Sequence, residues 1–167
     1  MSKARILQPD LVLGDVVIHI TPELLKKYNL KGLILDVDET LVPWNETDIS
    51  PQLLTWIEQI RPHVAIWLVS NNFSYRRIER IANYLGVPFL HGAAKPSRRK
   101  LLQAVRAMNL PLEQIAMVGD RLFTDILAGN RLGLFTILVE PMGSKQFSIR
   151  NFEVWLSQLL GVSLSKH

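Results

Sequence analysis

The chain of 167 residues contains no cysteine. This excludes disulfides, thiolate metal sites and cysteine nucleophiles, and it fits a reducing compartment. The sequence also has no apolar run approaching the roughly 18 residues of a membrane span. Near the start, Gln8, Pro9 and Asp10 interrupt the apolar residues before a signal core forms. We therefore expect no secretory signal and a cytoplasmic protein, with peripheral membrane association left open.

Acidic residues are in the minority, because 15 Asp and Glu face 19 Lys and Arg, giving a net charge of +4 and a pI near 9.6. This balance favours acidic partners, such as phosphate compounds, an anionic membrane surface or nucleic acid. A modestly basic cytoplasmic protein is the plainer interpretation. The basic residues form no continuous stripe, so we expect no nucleic-acid partner. The four histidines lie far apart and predict no histidine metal site.

Apolar segments alternate with segments of helical periodicity, which predicts an α/β fold: a three-layer, Rossmann-like domain with a parallel sheet of about five strands. The predicted strands are 32–36, 64–70, 88–91, 115–119 and 135–139. The predicted helices between and after them are 52–60, 74–85, 97–108, 122–131 and 152–160. No linker or internal repeat interrupts the pattern, so we predict one domain over residues 1–167.

Residues 1–30 do not follow this alternation. They are moderately apolar and then predict a short helix near residues 22–28. A surface flap, an added edge element of the sheet and a contact with a partner are all open for this extension.

The most informative segment is 33–41, in which an apolar run ends in Asp36 and Asp38, with Thr40 two residues further on. A run that is apolar at every position is typical of a strand buried on both faces of a parallel sheet. Its carboxyl end lies where open α/β folds bind ligands. Two carboxylates so close repel each other unless a cation or a proton transfer uses them. The segment therefore predicts a chemical site.

Three further polar clusters follow the carboxyl ends of predicted strands, beginning at Ser70, Lys95 and Asp120. Each has a plainer interpretation, since Ser70 and Asp120 suit helix capping and Lys95 suits a solvated loop. Together the clusters are far more specific, because parallel strands bring their carboxyl ends to one edge of the sheet.

The four clusters resemble the motifs of the haloacid dehalogenase-like (HAD) hydrolase superfamily. They read DVDET at 36–40, SNN at 70–72, AKP at 94–96 and GDRLFTD at 119–125. The resemblance implies a Rossmann-like sheet in which the first and fourth predicted strands are neighbours. It also implies a Mg²⁺ cofactor bound by Asp36, Asp120 and the backbone carbonyl of Asp38, with Asp125 in support.

The same resemblance gives the groups catalytic roles. Asp36 is expected to be the nucleophile that forms an aspartyl-phosphate, and Asp38 to protonate the leaving oxygen and later deprotonate water. Lys95 is expected to neutralise phosphoryl oxygens and to offset repulsion between the aspartates. The Ser70 hydroxyl and the backbone N–H of Asn71 are expected to donate to the phosphoryl group. Thr40 is expected to fix the geometry of its loop.

The intervals between motifs leave no room for a sizeable cap domain, since only about thirty residues separate Asp36 from Ser70 and fewer separate Ser70 from Lys95. An open site suits a phosphate on something large. The whole chain resembles the uncapped YqeG-type subfamily within HAD subfamily IIIA, which is similar to phosphatidylglycerophosphate phosphatases. This implies removal of the terminal phosphate to give phosphatidylglycerol. Glu39 departs from the pattern, because this subfamily more often has Asn there.

Three alternatives to the lipid substrate are open: a phosphoprotein phosphatase, a small-metabolite phosphatase and a non-catalytic phosphate-binding scaffold. A lipid headgroup at an anionic membrane surface is consistent with basic residues near strand ends and with two aromatic residues that follow the first two motifs. The basic residues are Arg76, Arg77, Arg98, Arg99, Lys100 and Arg121, and the aromatic ones are Trp44 and Phe73. Packing against the domain is the alternative for the aromatic residues. The oligomeric state is left open.

Overall fold

A computed structural model describes residues 3–143 and 147–165. Its strands are β1 (Leu11–Val12), β2 (Gly32–Leu35), β3 (Ala65–Val69), β4 (Phe89–Leu90), β5 (Ile115–Gly119) and β6 (Phe135–Leu138). Its α-helices are α1 (Lys3–Leu7), α2 (Pro22–Lys27), α3 (Pro51–Ile60), α4 (Tyr75–Leu85), α5 (Arg99–Met108), α6 (Leu127–Leu132) and α7 (Phe147–Leu159).

The six strands form one parallel sheet in the order β1-β6-β5-β2-β3-β4. The chain runs outward from β2 through β3 to β4, and then returns to the other side of β2 at β5. Strands β2 and β5 are thus neighbours, as predicted, and the connections leave in opposite directions from this point. Such a switch point opens a crevice at the carboxyl ends of the strands.

Alternate residues of the buried strands pack on opposite faces of the sheet, which produces the predicted three layers. Leu33 and Leu35 contribute to a core that includes residues of α2, α3 and α4. Ile34 contributes to a second core on the other face, with residues of α5 and α6. Within residues 3–143 and 147–165, no inserted domain separates the motifs, in agreement with the predicted absence of a cap.

The helices that begin at the carboxyl edge of the sheet start and end at the signals in the sequence. The Ser50 hydroxyl accepts from the Leu53 N–H at 3.1 Å, with Pro51 at the first helical position of α3. Ser74 caps α4 in the same way, and Gly86 ends it in a left-handed conformation with φ of 67°. These caps explain why both predicted helices agree with the structure to within one residue.

Three features differ from the sequence predictions. The segment predicted as one helix over 122–131 begins as a π-helical turn, Leu122–Ile126, and continues as α6. The helix predicted over 152–160 is longer, since α7 begins at Phe147 and ends at Leu159. A sixth strand, β1, arises from the N-terminal extension and pairs with β6 at the edge of the sheet. Of the three options for residues 1–30, an edge element is therefore the one found. Among the described residues no helix is long and apolar enough to cross a bilayer.

Gly129 lies in α6 where that helix packs on the sheet. A Cβ at this position would lie 2.6 Å from Thr136 Cγ2 and 2.9 Å from Met117 Cβ, closer than carbon atoms approach. We expect Gly129→Ala to lower the free energy of unfolding by about 1–3 kcal/mol through overpacking, as measured by urea denaturation. Helix propensity alone gives the opposite sign, a gain of about 0.5–1 kcal/mol. A more stable variant would contradict this packing.

Candidate active site

The site forms at the carboxyl end of β2, where Asp36 directly follows the strand. The Asp36 N–H donates to the Val118 carbonyl at 3.0 Å, which extends the pairing of β2 and β5 by one residue. Its backbone is therefore fixed by the sheet. Its side chain is about one-tenth exposed, so it faces the crevice without being fully solvated.

Lys95 lies opposite Asp36 and is almost completely buried. Its Nζ donates to Asp36 Oδ1 at 2.8 Å and to Asp125 Oδ1 at 2.7 Å. Burial alone would lower the pKa of the lysine, but the negative charges of Asp125 and Asp36 outweigh it and raise the pKa. Lys95 is therefore a fixed positive charge beside Asp36 and Asp125. Its predicted role of offsetting repulsion between Asp36 and Asp120 stays a prediction.

The fourth motif places a second carboxylate against Lys95. Asp125 is held by the π-helical turn, and its Oδ2 accepts from the Arg121 N–H at 3.2 Å. The Asp125 side chain occupies the space where a Cβ of residue 119 would stand, so only glycine fits at the start of this motif. Burial raises the pKa of Asp125 to about 7, and the charge of Asp36 acts in the same direction, whereas Lys95 opposes both.

Three carboxylates converge beside the lysine. Oxygens of Asp36, Asp120 and Asp125 all lie within 4.8 Å of one another, an arrangement that could hold a metal ion. The Thr40 hydroxyl lies 3.3 Å from Asp36 Oδ2 and 3.3 Å from Asp120 Oδ1. Since a hydroxyl has one proton, it donates to one of these oxygens at a time. Thr40 thus links the first motif to the fourth, and its predicted role in fixing the geometry of its loop stays a prediction.

Asp38 stands apart from this cluster, and its side chain is about one-quarter exposed. Its Oδ2 accepts from Asn72 Nδ2 at 3.0 Å, and its Oδ1 pairs with the Arg77 guanidinium. Arg77 also donates to the Pro43 carbonyl at 3.1 Å and to the Glu46 carbonyl at 2.7 Å. None of these contacts involves the Asp38 backbone carbonyl. The role of that carbonyl as a metal ligand therefore stays a prediction.

Ser70 and Asn71 follow β3 and lie beside the same crevice. Ser70 is buried, and its Oγ accepts from the Asn72 N–H at 3.1 Å, which leaves its own O–H to donate. The Asn71 side chain accepts from the Lys95 N–H at 2.7 Å and donates to the Lys95 carbonyl at 3.0 Å. Asn71 therefore positions the loop that carries the lysine, a function in addition to its predicted backbone donation.

Glu39 has a structural role that sequence reasoning missed. It is buried with φ of 65°, a left-handed conformation that asparagine adopts more readily than glutamate. Its carboxylate accepts from the Trp44 N–H and from the Gly143 N–H, both at 2.8 Å. These two bonds join the loop after β2 to the loop after β6, and they offset the conformational cost of glutamate at this position.

Sequence reasoning also missed the positioning roles of two residues on the second motif and α4. Asn72 belongs to the SNN motif, but nothing in its spacing indicates that its amide reaches Asp38. The sequence predicts that Arg77 belongs to a group of basic residues facing an anionic surface, whereas the structure pairs it with Asp38. Arg121, from the same group, pairs with Glu153 at 2.8 Å. No local pattern reveals such pairs, because their partners lie more than thirty residues away.

The parallel sheet with helices on both faces is an α/β fold of the HAD type. A solved structure supports the fold: the cobalt-bound form of the deoxy-D-mannose-octulosonate 8-phosphate phosphatase from Haemophilus influenzae. It aligns with a TM-score of 0.56 and 15% identity over 80% of this chain and 92% of its own.

Sequence comparison identifies the family to which this chain belongs. The family model for mitochondrial PGP phosphatase matches residues 1–142. The probable phosphatase YqeG of Bacillus subtilis (strain 168) is 43% identical over 137 residues, which cover 81% of this chain and 79% of that protein. The chloroplastic phosphatidylglycerophosphate phosphatase 1 of Chlamydomonas reinhardtii is 30% identical over 145 residues, 80% of this chain and 53% of that protein. The chain belongs to the PGP phosphatase family and is a HAD-type phosphoric monoester hydrolase.

The raised pKa of Asp125 predicts how stability depends on pH in a buffer that contains a metal chelator. A carboxyl whose pKa is higher in the folded state destabilises the fold once it ionises. Between its ordinary value of 3.8 and about 7, the parent should therefore lose stability relative to Asp125→Asn. Urea denaturation across this range measures the difference.

The substitution is nearly isosteric and keeps a hydrogen-bond acceptor for Lys95, so packing changes little. The unfolding free energy of Asp125→Asn minus that of the parent should increase as pH rises. A difference that stays constant from pH 4 to pH 8, or that decreases, would contradict this electrostatic account.

Proposed function

We propose that the protein is a Mg²⁺-dependent phosphatase that acts through an aspartyl-phosphate on Asp36, with phosphatidylglycerophosphate as its substrate. The observation that carries the proposal is the pairing of a buried lysine with the carboxylate at the end of β2. Lys95 Nζ lies 2.8 Å from Asp36 Oδ1 and orients this carboxylate at the mouth of the crevice. A carboxylate held in a fixed position at the crevice is what a nucleophile requires.

The donor set fits a hard divalent cation. All three converging side chains are carboxylates, and Lys95 forms ion pairs with two of them, Asp36 and Asp125. Carboxylate oxygens are the ligands that a hard cation such as Mg²⁺ prefers. Asp36 and Asp120 would hold Mg²⁺, together with the Asp38 carbonyl, and Asp125 would orient the waters on it. When bound, Mg²⁺ would neutralise phosphoryl oxygens and so lower the barrier to attack by an anionic carboxylate.

The remaining residues would bind the phosphoryl group or transfer protons during its transfer. Lys95 and the Ser70 hydroxyl would donate to its oxygens, and so would the Asn71 N–H. Asp38 would give a proton to the leaving oxygen and then accept one from the water that hydrolyses the intermediate. Its contacts with Arg77 and Asn72 hold the Asp38 carboxyl group in place beside the crevice.

The lipid substrate is supported by the names of relatives and by the open site. The Chlamydomonas relative is a phosphatidylglycerophosphate phosphatase, and the matching family model carries the same activity in its description. The described residues form no cap over the crevice, so a headgroup that stays in a bilayer can reach it. We propose accordingly that the protein works in the cytoplasm and associates peripherally with an anionic membrane.

Phosphate release from three substrates tests both parts of the proposal. The substrates are phosphatidylglycerophosphate in vesicles, a phosphopeptide and a sugar phosphate, each with Mg²⁺ and with a chelator. We expect Mg²⁺-dependent release that is fastest on the lipid. Asp36→Asn should lower kcat by at least about a thousandfold, because it removes the nucleophile. The control Asp10→Asn changes a carboxylate bonded to Thr136 and should leave activity intact.

The outcomes separate the two parts. Similar rates on all three substrates, or a preference for the peptide or the sugar, would overturn the lipid assignment and leave the phosphatase. An Asp36→Asn variant as active as the parent would overturn the proposed mechanism.

A further inference from the structure

A set of aromatic and basic side chains borders the crevice on the side of α4 and β4. This rim patch consists of Phe73, Tyr75, Arg76, His91 and Lys100. The Tyr75 and His91 rings meet edge to face with centroids 5.1 Å apart, and Lys100 Nζ donates to the His91 carbonyl at 2.7 Å. The Phe73 ring lies over Gly92, next to His91. Contacts at residues 91 and 92 therefore link Phe73, Tyr75 and Lys100, and the exposed Arg76 follows Tyr75 in the first turn of α4.

Backbone hydrogen bonds fix the rim patch to the candidate active site. The Gly92 N–H donates to the Asn72 carbonyl, and the Ala93 N–H donates to the Ser70 carbonyl, both at 2.8 Å. Asn72 is the residue whose amide reaches Asp38. Phe73 is thus one residue away from a group that holds the proposed general acid, and whatever touches the patch also faces the mouth of the crevice.

Phe73 is the most exposed large hydrophobic residue among those described, at 83%. A single exposed ring is ordinary on a protein surface. Here the ring projects from the loop before α4 instead of packing on a helix, and the first turn of that helix carries Arg76 and Arg77. An apolar side chain in a basic setting matches the interface of an anionic bilayer, where acyl chains lie beneath phosphate groups.

The charges at the starts of α4 and α5 also favour an anionic surface as the partner. The first turns of α4 and α5, all of whose residues are described, hold no acidic residue and instead contain Arg76, Arg77, Arg99 and Lys100. Helix dipoles favour the opposite arrangement, with acids in the first turn. Glu79 accepts from the Tyr75 hydroxyl at 3.1 Å, and Arg77 pairs with Asp38. Arg76, Arg99 and Lys100 therefore carry the remaining positive charge of these two helix starts.

We infer that the rim patch docks on an anionic lipid bilayer, with Phe73 inserted among the acyl chains and Arg76 and Lys100 near the lipid phosphates. Docking in this way brings the crevice to the level of the headgroups. The inference rests on the proposed lipid substrate, and it adds the surface and the orientation by which the protein reaches that substrate.

Binding to vesicles tests the docking surface without any need for turnover. The probes are vesicles of phosphatidylcholine alone and of phosphatidylcholine with phosphatidylglycerol, and bound protein is measured by sedimentation. The parent should bind the anionic vesicles and release at high salt. Phe73→Ser should weaken binding roughly tenfold, since it removes a buried ring, and Arg76→Gln about fivefold, since it removes one charge.

Tyr84→Ser is the matched control, because Tyr84 is also an exposed aromatic residue of this region but lies near the far end of α4. It should bind vesicles as the parent does. Equal binding by the parent and Phe73→Ser would overturn the inference, and so would an equal loss in the Tyr84→Ser variant.

Kinetics keep this inference separate from the proposed function. Phe73→Ser should lower activity on phosphatidylglycerophosphate in vesicles but leave activity on a soluble sugar phosphate unchanged. A parent without activity on the lipid would refute the proposed function, whatever the vesicle binding. A loss confined to a phosphopeptide substrate, with vesicle binding intact, would assign the patch to a protein partner and overturn the membrane docking.

Discussion

The structure depends on one electrostatic constraint, the burial of Lys95 between Asp36 and Asp125. Removing these three charges from water costs free energy, and the cost is offset only when donors and acceptors meet at good geometry. The two bonds of 2.7 and 2.8 Å meet that condition. Asp120 joins the same cluster, so three carboxylates converge beside the lysine. The contacts that stabilise this part of the fold therefore also position the groups of the proposed chemistry.

The fold supplies the convergence that the charges require. Neighbouring parallel strands β2 and β5 end side by side, so the segments that follow them reach one point from positions more than eighty residues apart. The loop with Lys95 is fixed from the β3 side by Asn71, and the loop after β2 is fixed from the β6 side by Glu39. Each charged group is thereby held by backbone contacts rather than by its charge alone.

Much of this arrangement could be predicted from the sequence. Apolar runs that end in polar residues located Asp36, Ser70 and Asp120, and the alternation of helices and strands located the edge where they meet. The two-residue strand β1 was not predicted, because such a short segment carries too little periodicity. The partners of Asp38 were not predicted either, since contacts such as Arg77 to Asp38 depend on how α4 is placed over the loop after β2. Glu39 was recognised as a departure, but its two acceptor contacts follow from loop geometry alone.

The central claim is that a carboxylate at the end of β2 attacks phosphorus. Rapid mixing with Mg²⁺ and substrate, followed by acid quench and mass spectrometry of the peptides, tests it most directly. The account predicts an acid-stable, base-labile phosphoryl group on the peptide that carries Asp36. Turnover that proceeds while the phosphoryl group is found on another residue would contradict it.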